Sequence, residues 1–322
     1  MKTNDILVFL QLKGLGRATA FKLVEYYHFK EYKFSRSDAS ELFEFYNECK
    51  YLKIARAMKE YVLEDFEFAF KQTSSLLERS FACEIGVVSY FDSSYPKRLK
   101  SLTKAGKNDS PLILYYKGDI NKLNQMPTIA IIGTRDILPD GAISGEVISK
   151  TFANQGFNVV SGLALGCDTV AHKGALLANK GITTAVLAQG LDSVYPKENS
   201  SLAKEILDKG GVLLSEYPIG TTVRGPQLVE RDRIQAGLSD ATLVIHTGEK
   251  GGTMHAVHTT LENKKPLYVI EYKSSQMNNH EKVQGNRVLV QQDKAKALNS
   301  ENMHSVIDYL KKLANQKGYT NG

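Results

Sequence analysis

Short runs of apolar residues alternate with longer, mainly polar segments between residues 128 and 271. The first two runs, Ile129–Ile132 and Val159–Val160, lead into glycine-containing turns and lie about thirty residues apart, the length of one strand–helix–strand unit. Further strands are predicted at Thr184–Leu187, Val212–Leu214, Thr242–Ile245 and Leu267–Ile270. Because continuous apolar strands are buried on both faces, the pattern predicts an α/β fold with a mostly parallel sheet and helices on both faces.

The first eighty residues have a different pattern. Residues Ile6–Tyr27 and Glu41–Lys59 have the apolar spacing of amphipathic helices. Leu12–Ala20 contains a Gly-x-Gly turn that matches a helix-hairpin-helix, in which backbone N–H groups point at a DNA phosphate. A plain turn between two helices, with glycine as a C-cap, is the alternative. We therefore predict a small helical domain, helix-hairpin-helix or SAM-like, over residues 1–80.

The rest of the chain divides into a sheet domain and a tail. Residues 83–272 form the predicted sheet domain, in which Gly86–Ser89 and Pro111–Gly118 supply strands ahead of the main series. Residues 273–322 are predicted to be a polar tail with one amphipathic helix, from about Glu301 to Ala314.

Composition narrows the class of protein. The 322 residues are 42% hydrophobic and 24% charged, as in an ordinary globular protein, and the formal net charge of +6 favours a polyanionic partner. No run approaches the ~18 apolar residues of a membrane span. Cys49, Cys83 and Cys167 show no paired metal-ligand spacing. We expect a cytoplasmic protein without membrane association, bound metal or cofactor.

Basic residues lie in or beside the glycine-rich loops. They are Arg135, Lys197, Arg224, Arg231 and Arg233. Arg135 directly follows Gly133-Thr134 at the end of the first strand, where a guanidinium can donate two hydrogen bonds to a phosphate. The backbone amides of Gly162 to Gly166 are predicted to complete an anion site.

Several ordered segments together resemble the DprA/Smf family, the DNA-processing proteins of bacterial natural transformation. The segments are Tyr95–Leu99, Leu114–Gly118, Ile129–Arg135, Val160–His172, Gly190–Asn199, Leu214–Pro218 and Arg231–Ala241. The resemblance implies a Rossmann-like domain that binds single-stranded DNA in a basic pocket, protects incoming strands and helps to load the RecA recombinase. It also implies a homodimer formed through this domain. The implied DNA-binding positions are Gly133, Thr134, Arg135, Gly162, Gly166, Lys197, Arg224, Arg231 and Arg233.

Four of the five basic positions also have a structural alternative. Arg135 could pair with Asp136 or Asp140, and Lys197 could be solvated beside Glu198. Arg231 and Arg233 could pair with Asp232 and Asp240. Asp168 and His172 lie four residues apart on one helix face, a spacing that is also compatible with an acid/base pair. We expect Asp168 to cap the helix and His172 to pack beside it.

The chain also departs from the family pattern. It has Leu228-Val229-Glu230 where the family carries Phe-Pro ahead of Arg-Asn-Arg, so an aromatic residue that could stack on a base is missing and an acid is added. Gly251-Gly252-Thr253 stands in place of a Ser-Gly-Ser loop, followed by His255 and His258, whose role the sequence does not indicate. These changes affect how tightly DNA would be held.

Two other functions compete with single-stranded DNA binding. A DprA-like protein of a mobile or defence locus could sense a nucleotide instead. Gly251-Gly252-Thr253 with Glu262 is also similar to the loop of nucleotide phosphoribohydrolases of the lysine-decarboxylase-like type. We expect no enzyme, since Gly133-Thr134-Arg135 lacks the Gly-x-Gly-x-x-Gly turn of NAD sites and no nucleophile is placed beside a base.

Overall fold

Two compact units make up the chain in the computed structural model, which describes residues 1–56 and 58–319. The first unit comprises residues 1–93 with 112–114, and the second comprises residues 94–111 with the chain from residue 115 onward. Over the described residues, no helix combines the length and the apolar character needed to cross a membrane.

The first unit is mainly helical. Its described elements are α1 (Thr3–Gln11), α2 (Arg17–Phe29), α3 (Ala39–Tyr51), α4 (Leu63–Ala82) and strand β1 (Gly86–Ser89). Asp38 begins α3, because its carboxylate accepts a hydrogen bond from the Glu41 amide at 3.0 Å. Phe9 lies at the centre of the core, with its ring centroid 6.3 Å from that of Phe45 and 6.1 Å from that of Phe66.

The predicted helices of this unit are present with different limits. The segment Ile6–Tyr27 is two helices, since residues 12–16 form the turn between α1 and α2. The helix predicted over Glu41–Lys59 was too long: α3 ends at Tyr51, and Lys53 adopts a left-handed backbone conformation with φ of 54°. A DNA contact by the α1–α2 turn stays a prediction.

The second unit has alternating strands and helices. Its strands are β2 (Thr103–Lys104), β3 (Lys107–Asn108), β4 (Ile113–Lys117), whose first two residues belong to the first unit, β5 (Thr128–Ile132), β6 (Asn158–Ser161), β7 (Ile182–Leu187), β8 (Val212–Ser215), β9 (Ala241–Val244), β10 (Leu267–Ile270) and β11 (Lys296–Leu298). Its α-helices are α5 (Pro139–Asn154), α6 (Cys167–Leu176), α7 (Ser200–Asp208), α8 (Gly225–Leu238), α9 (Thr253–Glu262), α10 (Ser275–Asn278), α11 (Gln284–Gln291) and α12 (Met303–Gln316). The strands predicted from the glycine-ended runs are confirmed to within two residues at each end.

The main sheet of this unit is mostly parallel, as predicted. Its strands lie in the order β4-β8-β7-β6-β5-β9-β10-β11. Strand β4 is antiparallel to β8, with Tyr115 opposite Ser215, and the other neighbouring pairs are parallel. Strand β11 and helix α12, which fall in the segment predicted as a polar tail, belong to this unit, and β11 extends the sheet beside β10.

Each face of the sheet is covered by helices, because successive side chains of a strand point to opposite sides. Ile129 and Ile131 of β5 pack with residues of α5, α6 and α12. Ala130 and Ile132 of the same strand pack with residues of α9 and α11 on the other face. All five residues of β5 are buried, which explains why this strand reads as a continuous apolar run.

The order of the strands creates a switch point between β5 and β9. From β5 the chain adds β6, β7 and β8 on one side, and then β9, β10 and β11 on the other. The connections after these two central strands therefore leave in opposite directions and open a crevice at their carboxyl ends. Ligands of open α/β sheets bind in such crevices.

Candidate nucleic-acid interface

A cavity of about 470 Å³ lies at this switch point. It is bounded by the loop after β5, the loop after β9 and the first part of α8. The residues that line it include Gly133, Thr134, Arg135, Asp168, Gly225, Leu228, Val229, Arg231, Asp232, Gln235, Thr247, Gly248, Lys250, Gly251, Gly252 and Thr253. Its volume is that of a small-ligand site.

Arg135 is exposed at this cavity and has no ion pair or side-chain hydrogen bond within the described part of the chain. The alternative pairing with Asp136 is not formed, because Lys282 makes an ion pair with that carboxylate. Lys282 also lowers the pKa of Asp136 by donating a hydrogen bond to it. The Arg135 guanidinium is therefore available to an anion.

Lys250 is a second cation of the cavity, and it was missed in the sequence. It is exposed, lines the cavity from the loop after β9, and has no hydrogen bond or ion pair with a described residue. The available signal was its place between a strand end and Gly251-Gly252, which resembles the setting of Arg135.

Two amides of the loop Gly162–Gly166 already bind a carboxylate of the protein, so they are not free donors for an anion; a contribution from the rest of this loop stays a prediction. The amides of Gly162 and Ala164 donate to one carboxylate oxygen of Asp168, at 3.2 and 3.3 Å. Asp168 was expected to cap α6. Its carboxylate instead binds the amides of the loop that precedes this helix. Burial raises the pKa of Asp168, opposed first by Arg231.

Arg231 lines the cavity but is committed to the protein. Its Nη1 donates to the carbonyl oxygens of Gly162 and, at 2.8 Å, Val186, and its Nε lies 3.2 Å from the Asp232 carboxylate. A Cβ at residue 162 would lie 1.6 Å from Nη1 of Arg231. Glycine is needed there because the guanidinium passes directly over the backbone.

Gly166 is also required by a close backbone approach. Its φ is +77°, and a Cβ at this residue would lie 2.3 Å from the carbonyl oxygen of Arg135. The amide of Cys167 donates to the carbonyl of Thr134 at 3.1 Å, which holds the same two loops together. Gly166 therefore positions the loop that carries Arg135.

The other three predicted basic residues lie outside the set that lines the cavity. Arg233 is largely buried; it donates to the carbonyl of Asp109 at 3.0 Å and pairs with the Glu216 carboxylate, so its partner is not Asp240. Arg224 is exposed at the N-cap of α8, next to the lining residue Gly225. Lys197 is exposed and makes no ion pair with the adjacent acid.

His172 packs in the interior, as predicted. Its Nδ1 lies 2.6 Å from the Thr183 hydroxyl, and burial, aided by Arg231, lowers the pKa of its imidazole to about 3. A neutral, buried imidazole does not form an acid/base pair with Asp168.

The remaining candidates for chemistry do not assemble at the cavity. Glu262 ends α9 outside the cavity lining, and its carboxylate accepts a hydrogen bond from the Ala105 amide. His255 and His258 are exposed on α9. Across residues 1–56 and 58–319, no three His, Cys, Asp or Glu side chains are grouped in a way that could hold a metal ion.

Asp232 is a titratable group of the cavity wall. Burial raises its pKa to about 6, opposed first by Arg231 and reinforced by Asp168. Gln235, one turn along α8, donates from Nε2 to Oδ1 of Asp232 at 2.9 Å. The acid beside Arg231 is evident in the sequence, whereas no motif there marks Gln235.

Comparison with known proteins confirms the resemblance. The family model described as DNA recombination-mediator protein A matches residues 86–311. Protein Smf of Escherichia coli (strain K12) is 32% identical over 176 residues, which are 55% of this chain and 45% of that protein. DNA processing protein DprA of Bacillus subtilis (strain 168) is 33% identical over 186 residues, 58% of this chain and 60% of that protein. The matches thus span about half of the length of these relatives.

Two solved structures are similar over more of the chain. The X-ray structure of DprA from Streptococcus pneumoniae covers 95% of this chain and 98% of its own, with 26% identity and a TM-score of 0.73. The structure of DprA from Helicobacter pylori covers 71% of this chain and 96% of its own, with 27% identity and a TM-score of 0.60. The latter was described for the single-stranded DNA binding mode of that protein.

Proposed function

This chain belongs to the DNA recombination-mediator protein A family, and we propose that it binds single-stranded DNA in the cavity at the carboxyl ends of β5 and β9. The observation that carries the proposal is a pair of exposed cations on this cavity. Arg135 and Lys250 enter it from different loops, and neither has a partner among the described residues.

The chemistry of these two residues suits a phosphodiester. The planar guanidinium of Arg135 can donate two parallel hydrogen bonds to phosphate oxygens, and the Lys250 ammonium adds a point charge. Gly252 and Thr253, at the N-terminus of α9, also line the cavity, and the N-terminal end of a helix carries partial positive charge. A concave site of this size favours a single strand, whose bases are not held inside a duplex.

We propose further that the protein protects incoming strands, helps to load a RecA recombinase and acts as a homodimer. These roles rest on family membership and on the likeness to the DprA structures, which spans most of this chain. Sedimentation of the protein at tens of micromolar, with and without DNA, tests the dimer; a monomer in both conditions contradicts it. Faster filament formation by RecA on strands already coated with this protein tests the loading role.

The central experiment is a titration of fluorescent single-stranded and double-stranded DNA over a salt series. Single strands should bind more tightly, and the logarithm of the association constant should fall linearly with the logarithm of the salt concentration. The slope is about −0.7 for each phosphate neutralised. Equal affinity for the duplex, or binding that does not respond to salt, would contradict the proposal.

We propose no catalytic role for the cavity, because the acid suggested by the phosphoribohydrolase resemblance, Glu262, is engaged with the Ala105 amide outside it. Release of free base from nucleoside monophosphates is the measurement that distinguishes an enzyme from a binding protein. Release that is lost in Glu262→Gln would favour the enzyme. Tight binding of a mononucleotide without turnover, and without binding of strands, would favour a nucleotide sensor.

A further inference from the structure

The wall of the cavity formed by α8 presents two hydrogen-bond acceptors, which belong to Asp232 and Gln235. Asp232 and Gln235 are three residues apart on this helix, so their side chains are neighbours, and both line the cavity. The Nε2 of Gln235 donates to Oδ1 of Asp232 at 2.9 Å, and Nε of Arg231 lies 3.2 Å from the same oxygen. Nε of Arg231 forms no hydrogen bond with a described residue, so Gln235 is the donor directed at Oδ1.

Two acceptor atoms are left over. Within the described residues, Oδ2 of Asp232 accepts no hydrogen bond. Oε1 of Gln235, whose side chain is 2% exposed, is also without a partner. A buried acceptor without a donor is unfavourable, so this wall favours a ligand that brings N–H groups.

We propose that Asp232 is a specificity-determining residue that selects guanine among the bases of a bound strand, with Gln235 as its positioning residue. The inference rests on the proposed single-stranded DNA binding, which brings an unpaired base to the cavity. Guanine carries two adjacent donors on its pairing edge, N1–H and the N2 amino group. The carboxylate of Asp232, an acceptor only, is complementary to this edge.

The other bases fit this wall less well. Thymine has one N–H between two carbonyl oxygens, and these oxygens would face the carboxylate. Adenine and cytosine each have one amino group next to a ring nitrogen that is itself an acceptor. A binding site rejects the wrong base when that base places an acceptor against an acceptor of the site. A well-made pair of hydrogen bonds to the correct base gives about tenfold or greater discrimination against the others.

The test uses single-stranded DNA of nine nucleotides, in which every base is thymine except the central one, which is varied. A single guanine cannot form a quadruplex or a stable hairpin in such a strand. We expect the full-length protein to bind the guanine strand about tenfold more tightly than the all-thymine strand. Inosine, which keeps N1–H and lacks the N2 amino group, should give an intermediate affinity.

Asp232→Asn is the variant that isolates the carboxylate. The amide keeps one oxygen to accept from Gln235 but replaces the other with a donor. The variant should bind guanine and thymine strands with equal affinity, and should bind the thymine strand more tightly than the unaltered protein does at pH 7.5, because it lacks the charge that repels phosphate. A guanine preference that survives Asp232→Asn would overturn the assignment.

Equal binding of guanine and thymine strands by the unaltered protein would overturn the inference and leave the proposed function standing. Failure to bind any strand would overturn both. Competition by deoxyguanosine, deoxyinosine and thymidine monophosphates against a labelled thymine strand needs no variant. This competition tests the guanine preference even if Asp232→Asn does not fold. The guanine nucleotide should displace the strand most effectively, the inosine nucleotide less and the thymine nucleotide least. Any other order contradicts the inference.

Discussion

Arg98 and Asp240 form a two-point ion pair in the interior of the second unit. Nε of Arg98 lies 2.9 Å from Oδ1 of Asp240 and Nη2 lies 2.9 Å from Oδ2, and both side chains are almost completely buried. Oδ2 of Asp240 also accepts from the Thr128 amide at 2.9 Å, at the start of β5. Two segments that carry the family resemblance thus meet in a structural contact, away from the cavity.

Asp240→Asn should destabilise the protein by about 3–5 kcal/mol, because it leaves the buried Arg98 guanidinium without its counter-charge. Urea denaturation measures this change in the free energy of unfolding. Asp208→Asn makes the same charge change at an exposed residue without a partner among the described residues, and it should stay within about 0.5 kcal/mol of the unaltered protein. Similar effects of both variants would contradict the structural role of Arg98 and Asp240.

The sheet was predictable because its signal is local. Each strand from β5 to β10 is a short apolar run whose ends are marked by polar or glycine residues, and burial on both faces forces this pattern on the sequence. The position of the cavity was also predictable, since Gly133-Thr134-Arg135 follows a strand end and such ends converge in a parallel sheet.

The partners of the side chains were not predictable, because they come from segments far apart in the chain. Gly162 suggested a close approach by an external phosphate, yet the group that approaches it is the guanidinium of Arg231. Two amides of that loop, those of Gly162 and Ala164, bind the carboxylate of Asp168. A glycine shows that something comes near the backbone, but it does not show what the group is.

Arg135→Ala should weaken single-stranded DNA binding by about 1–3 kcal/mol, the loss of one charge-assisted phosphate contact, with little change in the melting temperature. Fluorescence anisotropy at fixed salt measures the affinity. Arg287→Ala is the matched control, since Arg287 is exposed on α11 and lies outside the cavity lining. If both variants bind as the unaltered protein does, the phosphate contact lies elsewhere.

Lys250→Ala should also weaken single-stranded DNA binding. In the double variant with Arg135→Ala, the association constant should depend less steeply on the salt concentration. Each lost phosphate contact removes about 0.7 from the slope for a single strand. A double variant with an unchanged slope would show that these two cations do not contact phosphates.

Arg233→Met should act on stability and leave the affinity of the folded protein almost unchanged. The guanidinium is held by the carbonyl and the carboxylate of Asp109 and by the carboxylate of Glu216, so its removal takes the cation away from two mostly buried acids, at a cost of about 3 kcal/mol. Adding Glu216→Gln should restore part of the loss. A fall in affinity comparable to that of Arg135→Ala, with unaltered stability, would instead place Arg233 in contact with DNA.

Binding of an all-thymine strand should strengthen as the pH falls from 7.5 to 5. Burial raises the pKa of Asp232 to about 6, against the opposing effects of Arg231 and His255 and with the support of Asp168. The carboxylate is therefore charged at the upper pH, where it repels phosphate, and is mostly protonated at the lower pH. Removing one charge from the cavity should improve binding by roughly 1 kcal/mol.

Asp232→Asn isolates this effect, because every other titrating group is common to the two proteins. The variant should bind the thymine strand more tightly than the unaltered protein at pH 7.5 and equally at pH 5. The guanine preference should follow the opposite course: since it needs the carboxylate as an acceptor, it should be full at pH 7.5 and decline as the pH falls through 6. A difference between the two proteins that is constant over this range would show that Asp232 does not change its charge there.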